Sequence, residues 1–384
     1  MSTKTKSIFF TGFILACYWP AFGATLQVGP DYPLKRPSEA ARLAKDGDTV
    51  VFSAGEYPED VAVWPQHRLT LRGIDGYAQL IANGKVAERK AIWVIQGNDI
   101  VVENIAFSGA RSPHFNGAGI RFEGTGLTLR NCHFHDNEMG LLTGGNPFST
   151  ILIEGSEFND NTVDYRRYGK LGHNIYIGAI RRFILRHSYI HDAHIGHNVK
   201  SRARENFIVY NRITDERRGS SYLVDLPDGG TSYLIGNSFR QRPDSDNPAM
   251  LSFAAEHNRT DTRQTLYVIN NTAVNDRANG HFINNHGITA AVLLNNLLVG
   301  KAMTTQGPIR QQRNLFVEDG GFKNRQAFDY RLVSGALAIG QGIEPGVSSD
   351  GVALRPAFQY RHPRAVEKRP SNGAIDIGAY EFEE

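Results

Sequence analysis

Short runs in which apolar and polar residues alternate recur along most of this chain. In "LTLRN", Leu127 and Leu129 alternate with Thr128 and Arg130. Successive strand side chains point to opposite faces, so such a run sends one set to a core and the other away from it. Similar β-branched runs close on Asn or a substitute, followed by an apolar residue. They are "VVENIAF" at Asn104, "LTLRNCHF" at Asn131, "ILIEGSEF" at Gly155, "FILRHSYI" at His187 and "FIVYNRI" at Asn211. "YLIGNSF" at Asn237, "YVINNTAV" at Asn271, "VLLNNLLV" at Asn296 and "QRNLF" at Asn314 continue the series. The steps are 27, 24, 32, 24, 26, 34, 25 and 18 residues. A period near 24 with occasional insertions marks a solenoid, whose repeats bury their apolar faces only against one another.

The pattern predicts about nine to eleven parallel coils in one domain spanning residues 24–384, with few helices. The asparagines are expected to be structural. Asn tolerates the left-handed conformation of a tight turn, and stacked amides bond to one another. Asn104, Asn131, Asn211, Asn237 and Asn271 should therefore share one turn. A short helix near residues 38–45, ended by Gly47, should cover the open end of the first coil, which would otherwise be a sticky edge. The long steps hold the loops "EFNDNTVDYRRYGK" and "RQRPDSDNPAM". Leucine-rich repeats share the period but require a leucine lattice that is missing here.

Composition changes this picture little. The chain has 384 residues, 41% of them apolar and 21% charged, which suits a large core. Its first residues read as an export signal, with Lys4 and Lys6, the apolar run "IFFTGFILAC" and then "AFGA". Ala21 and Gly23 fit the two small positions of a cleavage site after Gly23. A rival reading makes Cys17 a lipoprotein cysteine, but Leu15 is bulky for that motif. The expected location is periplasmic or secreted. Removing Lys4 and Lys6 takes the formal charge from +3 to +1, a balance that does not favour nucleic-acid binding. No other apolar run is long enough to span a membrane. Only Cys132 would remain, so an internal disulfide is excluded.

The candidate chemistry lies in a repeat within the repeat. "LGHNIYIGAIRRFILRHSYI" and "IGHNVKSRARENFIVYNRI" share the "GHN" frame 24 residues apart, at Gly172 and Gly196. The second copy replaces Tyr176, Gly178 and Ile180 with Lys200, Arg202 and Arg204. Val199, Ser201 and Ala203 should face the core, because cations buried there would need partners the strand does not supply. Lys200, Arg202 and Arg204 then stand outside, about 7 Å apart along the strand. Such cations can simply be a solvated face. Yet three like charges call for compensating anions, and "SYLVDLPDGG" places Asp225 beside Lys200 if Tyr222, Val224 and Leu226 point inwards. Gly178 should leave space above the sheet. His173 and His197 stack in the frame, and a histidine near neutral pH suits acid or base work. "HD" occurs at His135 and His191. Arg166, Arg167 and Tyr168 can overhang the strand as a groove wall.

From "AARLAKDGDTVVFSAGEY" at residues 40–57 to "GAIDIGAYEFE" at 373–383, the chain resembles right-handed parallel β-helix proteins of the pectate-lyase-like superfamily. The resemblance implies an all-β solenoid acting on a polysaccharide along an outward strand. It implies first a lyase that cleaves an acidic, uronic-acid-containing polysaccharide by β-elimination. Lys200 would be the base and Arg202 a two-point carboxylate clamp. Tyr176, His173 or His197 would supply or accept protons. Arg204, Asp225, Arg166, Arg167, Tyr168, Tyr222 and Glu256 would hold substrate. A uronan C5-epimerase shares the first proton abstraction. A hydrolase would instead need paired carboxylates, for which Asp225, Asp228 and Glu256 are candidates. A glycan-binding surface protein is the non-catalytic alternative. Neither the "WxDH" motif nor the "NTD" and doubled-Asp motifs of related enzymes occurs, although GHN is close to their "GHG". No cofactor is called for. Calcium is compatible with lyases of this kind, but no compact acid cluster demands it, and no metal ligands are assigned.

Overall fold

The alternating runs pair in parallel, each with its equivalent one coil on. The computed structural model describes residues 23–169, 172–256, 264–371 and 373–383. The expected signal segment, Gly23 apart, lies outside the described residues, as does Cys17. Ten short strands stack into one sheet, from Ala62–Trp64 to Met303–Gln306. A 21-stranded sheet wraps the other faces, and two antiparallel pairs, Phe322–Asn324 with Asp329–Leu332 and Phe358–Arg361 with Ala365–Lys368, follow it. The strand Thr70–Ile81 runs through a corner of the larger sheet, pairing first with Ile100–Glu103 and then with Ile105–Ser108. The result is a right-handed parallel β-helix of ten coils. In-register side chains fill its bore. Phe107, Phe134 and Phe158 stack at centroid spacings of 4.7 and 4.5 Å, near the spacing of the strands themselves.

The expected cap is helix Pro37–Leu43, which buries Pro37, Ala40 and Ala41. Glu39 accepts hydrogen bonds from the backbone of Lys35 and Arg36 at 2.7 and 3.2 Å, satisfying donors at the helix start. The helix ends slightly sooner than the sequence suggested. Gly47, at φ 85°, makes the following turn rather than the helix terminus. No helix among the described residues is long and apolar enough to cross a membrane.

The asparagine series shares one turn, but it divides between two adjacent positions. Asn104, Asn131, Gly155 and His187 hold the outer, left-handed place, with φ between 46° and 57°. In later coils Tyr210, Gly236, Asn270, Asn295 and Arg313 take that place. Asn211, Asn237, Asn271, Asn296 and Asn314 lie one residue further on, inside. There each of the first four amides donates to the next coil's side-chain oxygen, at 3.1, 3.0, 3.0 and 2.8 Å. Cys132, a free buried thiol, holds this inner position in an earlier coil. The single series of steps therefore joined two ladders across a one-residue offset.

A second ladder runs along the other corner, where Asn137 donates to Asn161, Asn161 to Asn174, and Asn174 to Asn198. It contains the Asn of both GHN triplets. Its last donor, Asn198, meets Asp215 at 3.0 Å. Asp215 is fully buried and also accepts from Ser220 and Ser245. Burial outweighs these donors and pushes its carboxyl from 3.8 up to about 6. Between those values the folded protein keeps a proton that the unfolded chain has released. Stability should therefore fall as pH rises through this window, by about 3 kcal/mol in total. Asp215→Asn removes the ionisation. Urea midpoints of both proteins at pH 4 and pH 7 should converge at the acid end and separate at the neutral end. Parallel behaviour would refute this account.

Candidate active site

The ten-stranded sheet carries one outward row through successive coils. It reads Val94, Arg121, Leu142, Tyr176, Lys200, Asp225, Ser252 and Asn284. Val94 and Leu142 belong to an apolar cluster on this outer side, against which Tyr176 also packs. From Tyr176 onward the row is polar. Val199, Ser201 and Ala203 are buried, as the alternation required, and Lys200 and Arg202 lie outside.

The cations meet the compensating acids that their spacing called for. Lys200 Nζ is 3.3 Å from Asp225 Oδ2 and 3.1 Å from Glu256 Oε1. Arg202 is engaged on three sides. Its Nε donates to the Tyr176 hydroxyl at 3.1 Å, Nη1 to Asp228 at 2.5 Å and Nη2 to Glu256 Oε2 at 2.5 Å. Lys200 also lies 5.7 Å from the centre of the Tyr176 ring. One expectation changes here. The Arg202 fork is not an open clamp, because Asp228 and Glu256 already fill it. Asp228, considered only for hydrolysis, proves to be a direct partner of the central arginine.

The two acids beside Lys200 differ in environment. Burial pushes the Asp225 carboxyl up, against the pull of Lys200. Glu256 is held below the usual range because Arg202 and then Lys200 outweigh its partial burial. Burial also opposes the charge on Arg202, but its bonds to Glu256 and Tyr176 keep that charge firmly in place.

His173 and His197 form a buried stack with centroids 4.8 Å apart. His173 Nδ1 accepts from the backbone N–H of His197 at 3.0 Å, which puts that ring's proton on Nε2. Burial, followed by the charge of Lys200, lowers His173 to about 3. His197 is lowered well below 6.5 by burial, then by His173 and Lys200. The pair is therefore a neutral support, not a group that titrates near neutral pH. His197 Nε2 lies 3.6 Å from Asp225 Oδ2 and braces that side of the site.

Tyr222 does not point inwards as the alternation suggested. Leu223 and Val224 both enter the core at the corner, so Tyr222 stays on the outer side, 5.3 Å from the His197 ring. Ala254, at φ 59°, takes the interior place and leaves Ala255 exposed. Gly178 makes no open space. A Cβ there would lie 2.4 Å from the Gly144 carbonyl oxygen, so glycine is required by the approach of the neighbouring coil. Arg204 is exposed beyond the strand end.

The expected groove wall stands apart from this cluster. Tyr168 ends helix Tyr165–Tyr168, stacks on Phe115 at 3.8 Å and lies under Arg167 at 5.0 Å. His194 is lowered by burial and then by Arg218, with a smaller part from Arg166 of that helix. These loops precede the sheet strands, whereas Arg202, Asp228 and Glu256 follow them, so the two groups flank opposite margins of the sheet. The HD pairs are turn contacts, at 2.7 Å for His135–Asp136 and 2.8 Å for His191–Asp192. Among the described residues no group of three or more His, Cys, Asp or Glu side chains is placed to share a metal ion. Asp225, Asp228 and Glu256 each face a cation, a donor set unsuited to calcium.

This architecture is that of the pectate-lyase-like β-helices. The crystal structure of pectate lyase Pel9A superposes with a TM-score of 0.65 at 14% identity, covering 94% of this chain and 97% of that one. At that identity the likeness establishes the fold. Weaker similarities are to the GH136 lacto-N-biosidase from Eubacterium ramulus and to the PL6 family alginate lyase AlyGC. The first has a TM-score of 0.45 at 12% identity, covering 77% of this chain and 68% of that one. The second has 0.38 at 12%, covering 83% and 56%. Neither is close enough to carry an argument. No family model matches the sequence. No curated protein matches it either.

Proposed function

We propose that this protein is an exported enzyme that cleaves an acidic polysaccharide by β-elimination on the outer row of the ten-stranded sheet. One observation carries the reading. Lys200 lies at the centre of the row, between a carboxyl pushed up by burial and a tyrosine whose hydroxyl is held by arginine. Asp225, 3.3 Å from Nζ, is the group placed to accept a proton from Lys200, because burial favours the neutral form of its carboxyl. The resulting Lys200 amine removes the C5 proton of a uronate residue. Arg202 Nε donates to the Tyr176 oxygen, so the hydroxyl's own proton remains for the departing O4. The C4–O4 bond breaks as the C4–C5 double bond forms. Arg202, joined by Lys200 as it takes the C5 proton, balances charge that develops on the substrate carboxylate, and such preorganised stabilisation is commonly the largest catalytic contribution.

Hydrolysis is the second reading, favoured by the opposite environments of Asp225 and Glu256. Against it, both carboxylates contact the same Nζ, at 3.3 and 3.1 Å. Their oxygens are thus closer than the roughly 6.5–9.5 Å of an inverting pair, with the ammonium between them.

The test is incubation with a panel of uronic-acid polysaccharides, following absorbance near 235 nm, reducing ends, and deuterium uptake at C5. A rise in absorbance together with new chain ends supports elimination. New ends without absorbance would establish hydrolysis. Deuterium uptake with neither would make the protein an epimerase, and no change on any glycan would leave a binding protein.

A further inference from the structure

Glu256 differs from the other acids of the site. The strand Ala249–Phe253 ends before it, and the chain turns at Ala254, so Glu256 reaches back over the row from a loop. Its amide is fixed to the Pro227 carbonyl at 2.9 Å. Its two oxygens are divided between the two cations, Oε1 to Lys200 and Oε2 to Arg202. Asp225 and Asp228 have side chains 5% exposed, whereas Glu256 is 40% exposed. It is thus the carboxylate that solvent, or a ligand, reaches first.

We propose that the Glu256 carboxylate holds the place of a uronate carboxylate, and that acidic sugars bind by displacing it from Lys200 and Arg202. The proposal rests on the polysaccharide reading above and adds a built-in competitor to it. The physical case is one of matching chemistry. A carboxylate spanning an ammonium and a guanidinium is the contact a uronate would make, with its two oxygens similarly divided. Exchanging one carboxylate for another leaves the charge of the buried cluster unchanged. An acidic sugar therefore enters without costing either cation an anionic partner. A neutral sugar offers no carboxylate to replace Glu256, so displacing it would cut each cation from two anionic partners to one, leaving Lys200 with Asp225 and Arg202 with Asp228. The device selects for acidic sugars by making the competing state an ion-paired one.

The experiment uses Glu256→Gln and Glu256→Ala in the full chain, with binding measured by calorimetry. The probes are glucuronate, galacturonate and mannuronate, with glucose as the neutral control. Removing a competitor raises apparent affinity by the reciprocal of the fraction of sites it had left open, so if Glu256 holds about nine sites in ten, at least one uronate should bind about tenfold more tightly. Glucose should be unaffected, and the gain should shrink in 0.5 M salt. No gain for any uronate in folded variants would overturn the proposal. So would an equal gain for glucose, which would mean only that space had been opened, or loss of folding in both variants, which would make Glu256 structural. The two readings fail separately. Tighter uronate binding without unsaturated product removes elimination and keeps the displaced carboxylate. Unsaturated product without tighter binding does the reverse.

Discussion

Alanine at position 200 should lower turnover by about two to four orders of magnitude, the usual contribution of a positioned acid or base. The core side of the strand is untouched by this change, since Val199, Ser201 and Ala203 carry the packing. Asp225 loses its cation, but burial already pushes its carboxyl up, so loss of Lys200 moves it further towards the neutral form. The decisive comparison is Lys200→Arg. Arginine keeps the positive charge and can keep the bonds to Asp225 and Glu256, yet it does not give up a proton at any working pH. If Lys200 is the base, arginine should be nearly as inactive as alanine while binding substrate better than alanine does. If Lys200 only balances charge, arginine should retain most of the activity. Turnover by both variants at the rate of the natural protein would remove Lys200 from the mechanism.

Loss of Arg369 should produce the largest effect on stability. Its side chain is almost fully buried in the C-terminal segment. There Nε donates to Glu381 at 2.7 Å, and the Nη atoms donate to the carbonyls of Gly378 and Asp376 at 3.1 and 3.2 Å. The segment is anchored to the β-helix by Gly378 N to Asn295 O at 2.8 Å and by Ala379 N to Thr272 Oγ1 at 2.9 Å. Ile377, Ala379 and Tyr380 complete an apolar cluster with Leu297 and Val299. Arg369→Ala leaves the Glu381 carboxylate buried and unpaired, a situation that costs about 3–5 kcal/mol. Urea denaturation should show a loss of that order, with proteolysis of the C-terminal segment appearing first. Replacing both partners, as Arg369→Met with Glu381→Leu, should recover much of the loss, because the Glu381 charge is gone and the buried Asp376 carboxylate keeps its donors at the amides of Gly340 and Phe382. A double variant as unstable as the single one would show that the carbonyl contacts, not the ion pair, hold the segment.

The coil period, the inward set of each strand and the pairing of Tyr176, Lys200 and Asp225 were legible in the sequence. All three follow from local rules. Side chains alternate along a strand, and stacked coils repeat at near-constant length, so counting residues yields the register. The same counting failed by one residue where Asn211, Asn237 and Asn271 were aligned with Asn104 and Asn131. Both turn positions accept asparagine, for different reasons, and the doubled Asn270–Asn271 and Asn295–Asn296 were the available hint. It failed again at Tyr222, because two consecutive residues turn inward at a corner and alternation cannot register that.

What the sequence by itself determined is therefore the β-helix, its core face and the cationic outer strand, since each is written in periodicities of the chain. Only the tertiary structure decided what those cations do. Glu256 and Asp228 come from later coils and from loops, where no period constrains them, and their contacts turn an apparently open clamp into a closed network. Burial, a property of the folded surroundings, decided that His173 and His197 are neutral and that Asp225 and Glu256 diverge. Protonation depends on neighbours brought close by folding, and spacing along the chain does not record them.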